Sequence, residues 1–353
     1  MSNEPHEPSD PDGVHVDRVT AWFEQHAQGV EPPLTFDLVA GGRSNMTYKV
    51  TDAADHAWVL RRPPLGHVLA TAHDMGREHR IISALGPTDV PVPPVVGLCT
   101  DESVNDAPFY VMEFVDGLVI RNRAEADVLT VAARAAASQS IVEVMARIHA
   151  VDTDAVGLGD LGRKEAYIER QLKRWHSQFE ASAVADLELI HDLHARLSTD
   201  IPTQQVAAIV HGDYRLDNCM VDTSGQVIAV LDWEICTLGD PLADVGLLMV
   251  YWSEQGDAFA PLMDSATSTE GFWSRQQMLD RYAEVSSLDL RRIDYYVAFG
   301  YWKLACILAG VYTRWAGGAM GSAGEGASRD IEGFKGQVRL LAEASASALD
   351  KSR

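Results

Sequence analysis

The chain has 353 residues, 46% of them hydrophobic and 23% charged, which is enough for one large domain or two lobes with separate cores. Lysine and arginine number 29 against 51 aspartates and glutamates, a formal net charge of −22. Such an excess is repelled by nucleic acid and anionic membrane surfaces and suits cationic small molecules near an acidic cleft, although acidity also simply aids solubility.

Four cysteines, Cys99, Cys219, Cys236 and Cys306, are widely spaced and form no CxxC or Cys/His cluster, so neither zinc nor a disulfide framework is indicated. No apolar run approaches the ~20 residues needed to span a bilayer. The expected location is cytoplasmic, with no membrane or nucleic-acid partner. Residues 1–13, acidic and proline-rich, are expected to be a disordered tail.

Val16, Val19, Trp22 and Phe23 recur at helical spacing and predict a helix within Val14–Gln28. Alternation from Leu34 to Ala40, and again at Met46, Tyr48 and Val50, predicts two strands joined by Gly41-Gly42-Arg43-Ser44-Asn45. The small residues of that tip, Ser44 and Asn45 among them, let backbone N–H groups approach phosphate oxygens, though a plain turn has the same sequence. Trp58–Arg61 predicts a third strand, with Arg61 and Arg62 on opposite faces.

A helix is predicted over Thr71–Leu85. Met75, Glu78, Ile82 and Leu85 share one face, so Glu78 lies on the apolar stripe. A carboxylate there needs a cation, and Arg61 is the predicted partner. The alternative is a rim glutamate bent out to water. Pro87, Pro91, Pro93 and Pro94 force an extended link before strands at Val95–Cys99 and Pro108–Phe114.

Beyond Gly117 the composition changes. Leu118–Val156 contains neither Gly nor Pro and predicts a long buried helix ending near His149-Ala150. Arg163–Ile201 reads as two further helices or one broken one. Leu242–Trp252, Gly271–Tyr282, Leu288–Trp315 and Ile331–Leu349 follow as helices, the third carrying Tyr295, Tyr296, Phe299, Tyr301, Trp302 and Trp315. Gly317–Gly326 is expected to be a mobile loop.

Between these helical blocks lies Ile209–Glu234, IVHGDYRLDNCMVDTSGQVIAVLDWE. An apolar strand leads to Gly212, which permits a sharp bend. Asp213 and Asn218 then share a polar loop. Cys219–Val221 and Gln226–Leu231, around Asp222-Thr223-Ser224-Gly225, predict a hairpin that returns Asp232 to it. Carboxylate, amide oxygen and second carboxylate make a hard-oxygen set suited to Mg²⁺, and Asp213 is left to orient or deprotonate a hydroxyl. Taken singly, each of these residues is better explained as turn chemistry; it is the set, in order and with a hairpin between, that points to a site.

His211-Gly212-Asp213-Tyr214-Arg215-Leu216-Asp217-Asn218, with Leu231-Asp232-Trp233-Glu234, resembles the aminoglycoside phosphotransferase and choline kinase family. The resemblance implies an α+β, protein-kinase-like, two-lobe fold. Its N-terminal lobe (14–115) would be an antiparallel sheet with one key helix, and its C-terminal lobe (116–353) mainly helical. It implies transfer of the γ-phosphoryl group of ATP, or GTP, to a small-molecule hydroxyl, with Mg²⁺ as cofactor. Asp213 is then the catalytic residue and Asn218 and Asp232 the metal ligands. Arg61, braced by Glu78, would hold phosphates that Ser44 and Asn45 cover, although the family usually has lysine at the Arg61 position. Phe109–Gly117 resembles the inter-lobe hinge, with adenine bonded to the backbone at Glu113 and Val115. His211 supports the backbone, and Asp240 and Asp244 of Gly239-Asp240-Pro241-Leu242-Ala243-Asp244 brace the catalytic loop or cap the next helix. An acidic chain suits an aminoglycoside acceptor. Leu60-Arg61-Arg62-Pro63-Pro64 also resembles kinase-like domains fused to some acyl-CoA dehydrogenases, which points instead to a hydroxy-acyl acceptor. An amino-alcohol acceptor and a nucleotide-binding pseudokinase scaffold are the remaining alternatives.

Overall fold

The computed structural model describes residues 10–39, 45–65, 74–257, 265–316 and 331–352. Ser44, the start of the helix expected from Thr71, residues 1–9 of the expected tail and the loop expected at 317–326 lie outside the described residues.

The chain divides into two compact units. One comprises everything up to Gly117 together with Ile228–Glu234; the other comprises Leu118–Val227 and everything from Ile235 onward. The expected contiguous division at 115/116 is therefore interrupted. The reason is local: the amide of Val230 donates to the carbonyl of Pro91 at 2.8 Å, tying the segment before Asp232 to the first unit.

In the first unit, β1 (Thr35–Leu38), β2 (Met46–Thr51), β3 (Ala57–Arg62), β4 (Val95–Cys99) and β5 (Phe109–Glu113) form one antiparallel sheet in the order β1-β2-β3-β5-β4. Helix α1 (Val16–His26) buries Val19, Trp22 and Phe23 in a core shared with Tyr48, Trp58, Leu60 and Phe109. Gly97 leaves room for the Trp22 ring, which meets Phe109 edge-on at 5.1 Å between centroids. Helix α2 (Met75–Leu85) starts where the Asp74 side chain accepts the amide of Arg77 at 2.9 Å, and it buries Met75, Glu78, Ile81, Ile82 and Leu85. The last residues of the expected tail are tied in rather than loose. Tyr48 donates to the carbonyl of Asp12 at 2.5 Å, and Arg62, on the face opposite Arg61, donates to the carbonyl of Gly13.

The second unit opens with β6 (Leu118–Val119) and a short helical turn, α4 (Arg123–Ala126), neither foreseen in the expected single long helix; a further turn, α3 (Glu102–Asn105), lies in the first unit between β4 and β5. Helix α5 (Val131–Ala150) begins at Thr130, whose hydroxyl accepts the amide of Ala133, and ends at the expected place. Helices α6 (Tyr167–Glu180) and α7 (Glu188–Thr199) follow. Strand β7 (Ala208–Val210) pairs antiparallel with β10 (Thr237–Gly239), and β8 (Cys219–Val221) with β6. A turn whose Asp222 amide donates to the carbonyl of Gln226 leads from β8 into β9 (Val227–Val230).

Helix α8 (Leu242–Tyr251) is buried on all sides, and α9 (Arg275–Val285) starts at a Ser274/Gln277 capping box, later than expected because Gly271 has φ +103°. Helix α10 (Ile293–Ala316) packs on α6, α7, α8 and on α11 (Ile331–Lys351). A side chain at Gly246 of α8 would overlap the Tyr296 backbone of α10, so glycine sets how closely these helices cross. Among the described residues no helix is long and apolar enough to cross a membrane.

Candidate active site

The bend before Asp213 is held from both sides. Gly212 sits at φ +86°, a conformation that strongly favours glycine. The two carboxylate oxygens of Asp244, near the start of α8, accept the amides of His211 (2.6 Å) and Gly212 (2.9 Å). From α10, the Lys303 ammonium donates to the Gly212 carbonyl at 3.1 Å. Burial holds the Lys303 pKa below that of an ordinary lysine, against the opposing pull of Asp244 and Asp213. Burial alone would raise the Asp244 pKa, but His149, His211 and the Gly212 amide hold it below the usual carboxylate range.

His211 is fully buried, and its Nδ1 accepts the Asp213 amide at 3.3 Å. Asp240 caps α8 by accepting the Leu242 amide at 3.1 Å and takes the Tyr296 hydroxyl at 2.7 Å. The two uses open for the GDPxxD stretch are thus divided: Asp240 caps the helix and Asp244 braces the loop.

Downstream of the bend, Leu216–Asn218 forms a short 3₁₀ turn. It brings Asn218 Nδ2 to the Asp213 carbonyl (2.8 Å) and to Asp213 Oδ2 (3.0 Å). With its nitrogen committed, the Asn218 amide has its oxygen left as a donor, the orientation a hard cation requires. Arg215 reaches both acids of the loop, with Nε 3.5 Å from Asp213 Oδ2 and Nη1 3.2 Å from Asp217 Oδ2, and it lies over the Tyr251 ring.

The first unit carries the other expected residues. Arg61 of β3 and Glu78 of α2 meet, with Nη1 3.2 Å from Oε1. Burial pushes the Glu78 pKa up to about 7, against the opposing pull of Arg61. The second arm of the guanidinium, Nη2, lies 2.7 Å from Asp232 Oδ1 and 3.7 Å from Glu234 Oε2, and Asn45 Nδ2 donates to Glu234 Oε2 at 3.3 Å. Asp232 itself adopts φ +64°, costly for a residue with a side chain and typical of positions kept for function. Its carboxylate is a hard oxygen donor of the kind Mg²⁺ takes, as is the side-chain oxygen of Asn218 in the second unit.

At the end of β5, the Glu113 amide is already taken by the Pro94 carbonyl at 2.8 Å, whereas the backbone of Val115 has no hydrogen bond among the described residues. A hinge contact at Glu113 is therefore limited to its carbonyl. Sequence reasoning missed Lys303, Arg215 and Glu234. Lys303 had a readable signal: it follows Tyr296 and Phe299 at helical spacing on the buried face, the same reasoning that singled out Glu78.

The chain is 36% identical to mouse acyl-CoA dehydrogenase family member 10 over 304 residues, covering 84% of this chain and 28% of that protein. It thus spans less than a third of that relative's length. A solved structure from Ralstonia eutropha, provisionally assigned as an aminoglycoside phosphotransferase, superposes with a TM-score of 0.77 at 31% identity over 94% of this chain and 98% of that one. The GDP complex of an aminoglycoside 2'-phosphotransferase IIIa superposes with a TM-score of 0.60 at 16% identity, over 96% and 99% of the two chains, a likeness of fold alone. Residues 35–278 match the phosphotransferase enzyme family, and with the kinase-like fold these neighbours share, the chain belongs to that family.

Proposed function

We propose that the protein transfers the γ-phosphoryl group of ATP or GTP to a hydroxyl of a small molecule. The observation that carries this reading is the double hydrogen bond from Asn218 Nδ2 to the carbonyl and carboxylate of Asp213. It holds the carboxylate of Asp213, to which this reading assigns the hydroxyl proton, and leaves the Asn218 oxygen for a cation. In the reaction the bond from the γ-phosphorus to its bridging oxygen breaks, the acceptor oxygen bonds to phosphorus, and Asp213 takes the hydroxyl proton. Asn218 and Asp232 would hold Mg²⁺, which when bound neutralises charge on the phosphates. Arg61, fixed by Glu78, holds phosphate oxygens, and the Asn45 region covers them. The backbone at Glu113 and Val115 receives the base.

The acceptor reading that fits best is a hydroxy-acyl compound. A small pocket in the second unit, beside the catalytic loop, is lined by Leu216, Leu248, Tyr251 and Trp252, with Arg121 and Arg215 and a single carboxylate, Asp217. Arg121 pairs with Glu125 and Arg215 with Asp213 and Asp217, so it is the apolar wall rather than the guanidiniums that favours a slim aliphatic group. The name of the mouse relative points the same way. The aminoglycoside reading has in its favour the net charge of −22 and the assignment of the Ralstonia neighbour.

The test compares wild type with Asp213→Asn. Thermal shift with Mg²⁺ and ADP should be equal in both. ADP release under a panel of hydroxy-acyl thioesters, choline-like amines and aminoglycosides should fall by about 10²- to 10⁴-fold in the variant. Equal release by both proteins with every acceptor would overturn the enzyme reading in favour of a nucleotide-binding scaffold.

A further inference from the structure

One guanidinium serves three carboxylates within the first unit. Arg61 Nη1 is anchored at 3.2 Å on Glu78, whose side chain is 2% exposed. Nη2 faces the more open pair, Asp232 at 2.7 Å and Glu234 at 3.7 Å, whose side chains are 35% and 21% exposed. The Nη2 arm therefore occupies the same carboxylate that the proposed function assigns to the metal. A divalent ion and a guanidinium on one carboxylate repel each other, and Arg61, whose side chain is 13% exposed, is little screened by water.

We propose that Arg61 is the built-in counter-ion of Asp232: it competes with a divalent cation for that carboxylate until phosphate groups draw its Nη2 arm away. Metal then enters together with nucleotide rather than alone. The proposal rests on the kinase reading for the identity of the phosphates, but the competition itself concerns only residues of this unit. It also explains why a guanidinium serves where the family resemblance leads one to expect an ammonium. A planar fork presents two nitrogens in fixed geometry, so one can stay on Glu78 while the group pivots and carries the other from carboxylate to phosphate.

The test uses the full chain and Mn²⁺ as a spectroscopic probe, titrated by electron paramagnetic resonance first without nucleotide and then with ADP. Arg61→Met should bind Mn²⁺ alone at least tenfold more tightly than wild type and should bind ADP in the presence of Mn²⁺ at least tenfold more weakly. Opposite signs on the two ligands distinguish competition from a merely structural loss, which would weaken both. Arg61→Lys, which keeps a cation and guards against misfolding of the methionine variant, should fall between wild type and Arg61→Met for Mn²⁺ alone. The double variant Arg61→Met, Asp232→Asn should lose the gain. Unchanged or weaker Mn²⁺ binding by both single variants, or a gain that survives Asp232→Asn, overturns the proposal. Tighter Mn²⁺ binding by Arg61→Met with no ADP binding by any form sustains the counter-ion role and overturns the kinase reading instead.

Discussion

The buried ammonium of Lys303 donates to the carbonyl oxygen of Gly212, the glycine that turns the chain toward Asp213. Replacing it with methionine leaves a buried carbonyl without its donor, worth about 1–3 kcal/mol. Lys303→Met should therefore lower stability to urea by that amount. With the bend before Asp213 held only by Asp244 and Asn218, ADP release should also fall at least tenfold, while ADP affinity stays within about twofold. Lys303→Arg, which retains a donor, should recover part of both losses.

Asp244 accepts two amides of the same bend, so its removal strands two buried donors. Asp244→Ala should cost about 2–5 kcal/mol, and Asp244→Asn somewhat less because one oxygen remains an acceptor. The pH dependence has a definite sign. A carboxyl whose pKa is lower in the folded than in the unfolded chain stabilises above the unfolded value and loses that contribution as pH falls through the folded one. Urea titrations from about pH 5 down to about pH 2.5 should show the wild-type advantage over Asp244→Asn shrinking.

Glu78 has the opposite sign. Its pKa is raised to about 7, so the folded chain binds the proton more tightly than the unfolded chain, and stability falls as pH rises from the unfolded value toward 7. Glu78→Gln removes this dependence. Relative to the variant, wild type should lose up to about 3 kcal/mol between pH 4.5 and 8, measured by urea denaturation at fixed ionic strength. A constant difference across that range would show that Arg61 keeps Glu78 ionised throughout.

Gly225, in the turn before β9, sits at φ +90°, and a methyl group there would overlap the Ala133 carbonyl of α5. Gly225→Ala should destabilise by about 2–4 kcal/mol, combining backbone strain with forced displacement of a helix. Calorimetry and far-ultraviolet dichroism together distinguish this from loss of fold.

Local periodicity made much of the architecture readable. The five strands, the Arg61–Glu78 pair and the α5 terminus follow from alternation, helical spacing and the rule that a buried charge needs a partner. What could not be read depends on contacts between distant residues. Strand β10 is three residues long and exists because Thr237–Gly239 pairs with β7. The left-handed backbone at Asp232 leaves no trace in residue type. Arg61 had one foreseeable partner, on the next helix, whereas its second lies 171 residues away on a segment assigned to the other lobe. Lys303 could be placed on the buried face of its helix, but its partner, 91 residues distant, could not be read.

The segment Ile228–Glu234 leaves one unit, supplies Asp232 to the other and returns. A gene fragment ending at Gly117 would encode every strand of the five-stranded sheet and Glu78, and still lack Asp232 and Glu234, the other two acids around Arg61. Neither unit is a contiguous block that duplication, exchange or truncation could move by itself. In any fusion, natural or engineered, the smallest exchangeable part is the whole of both units.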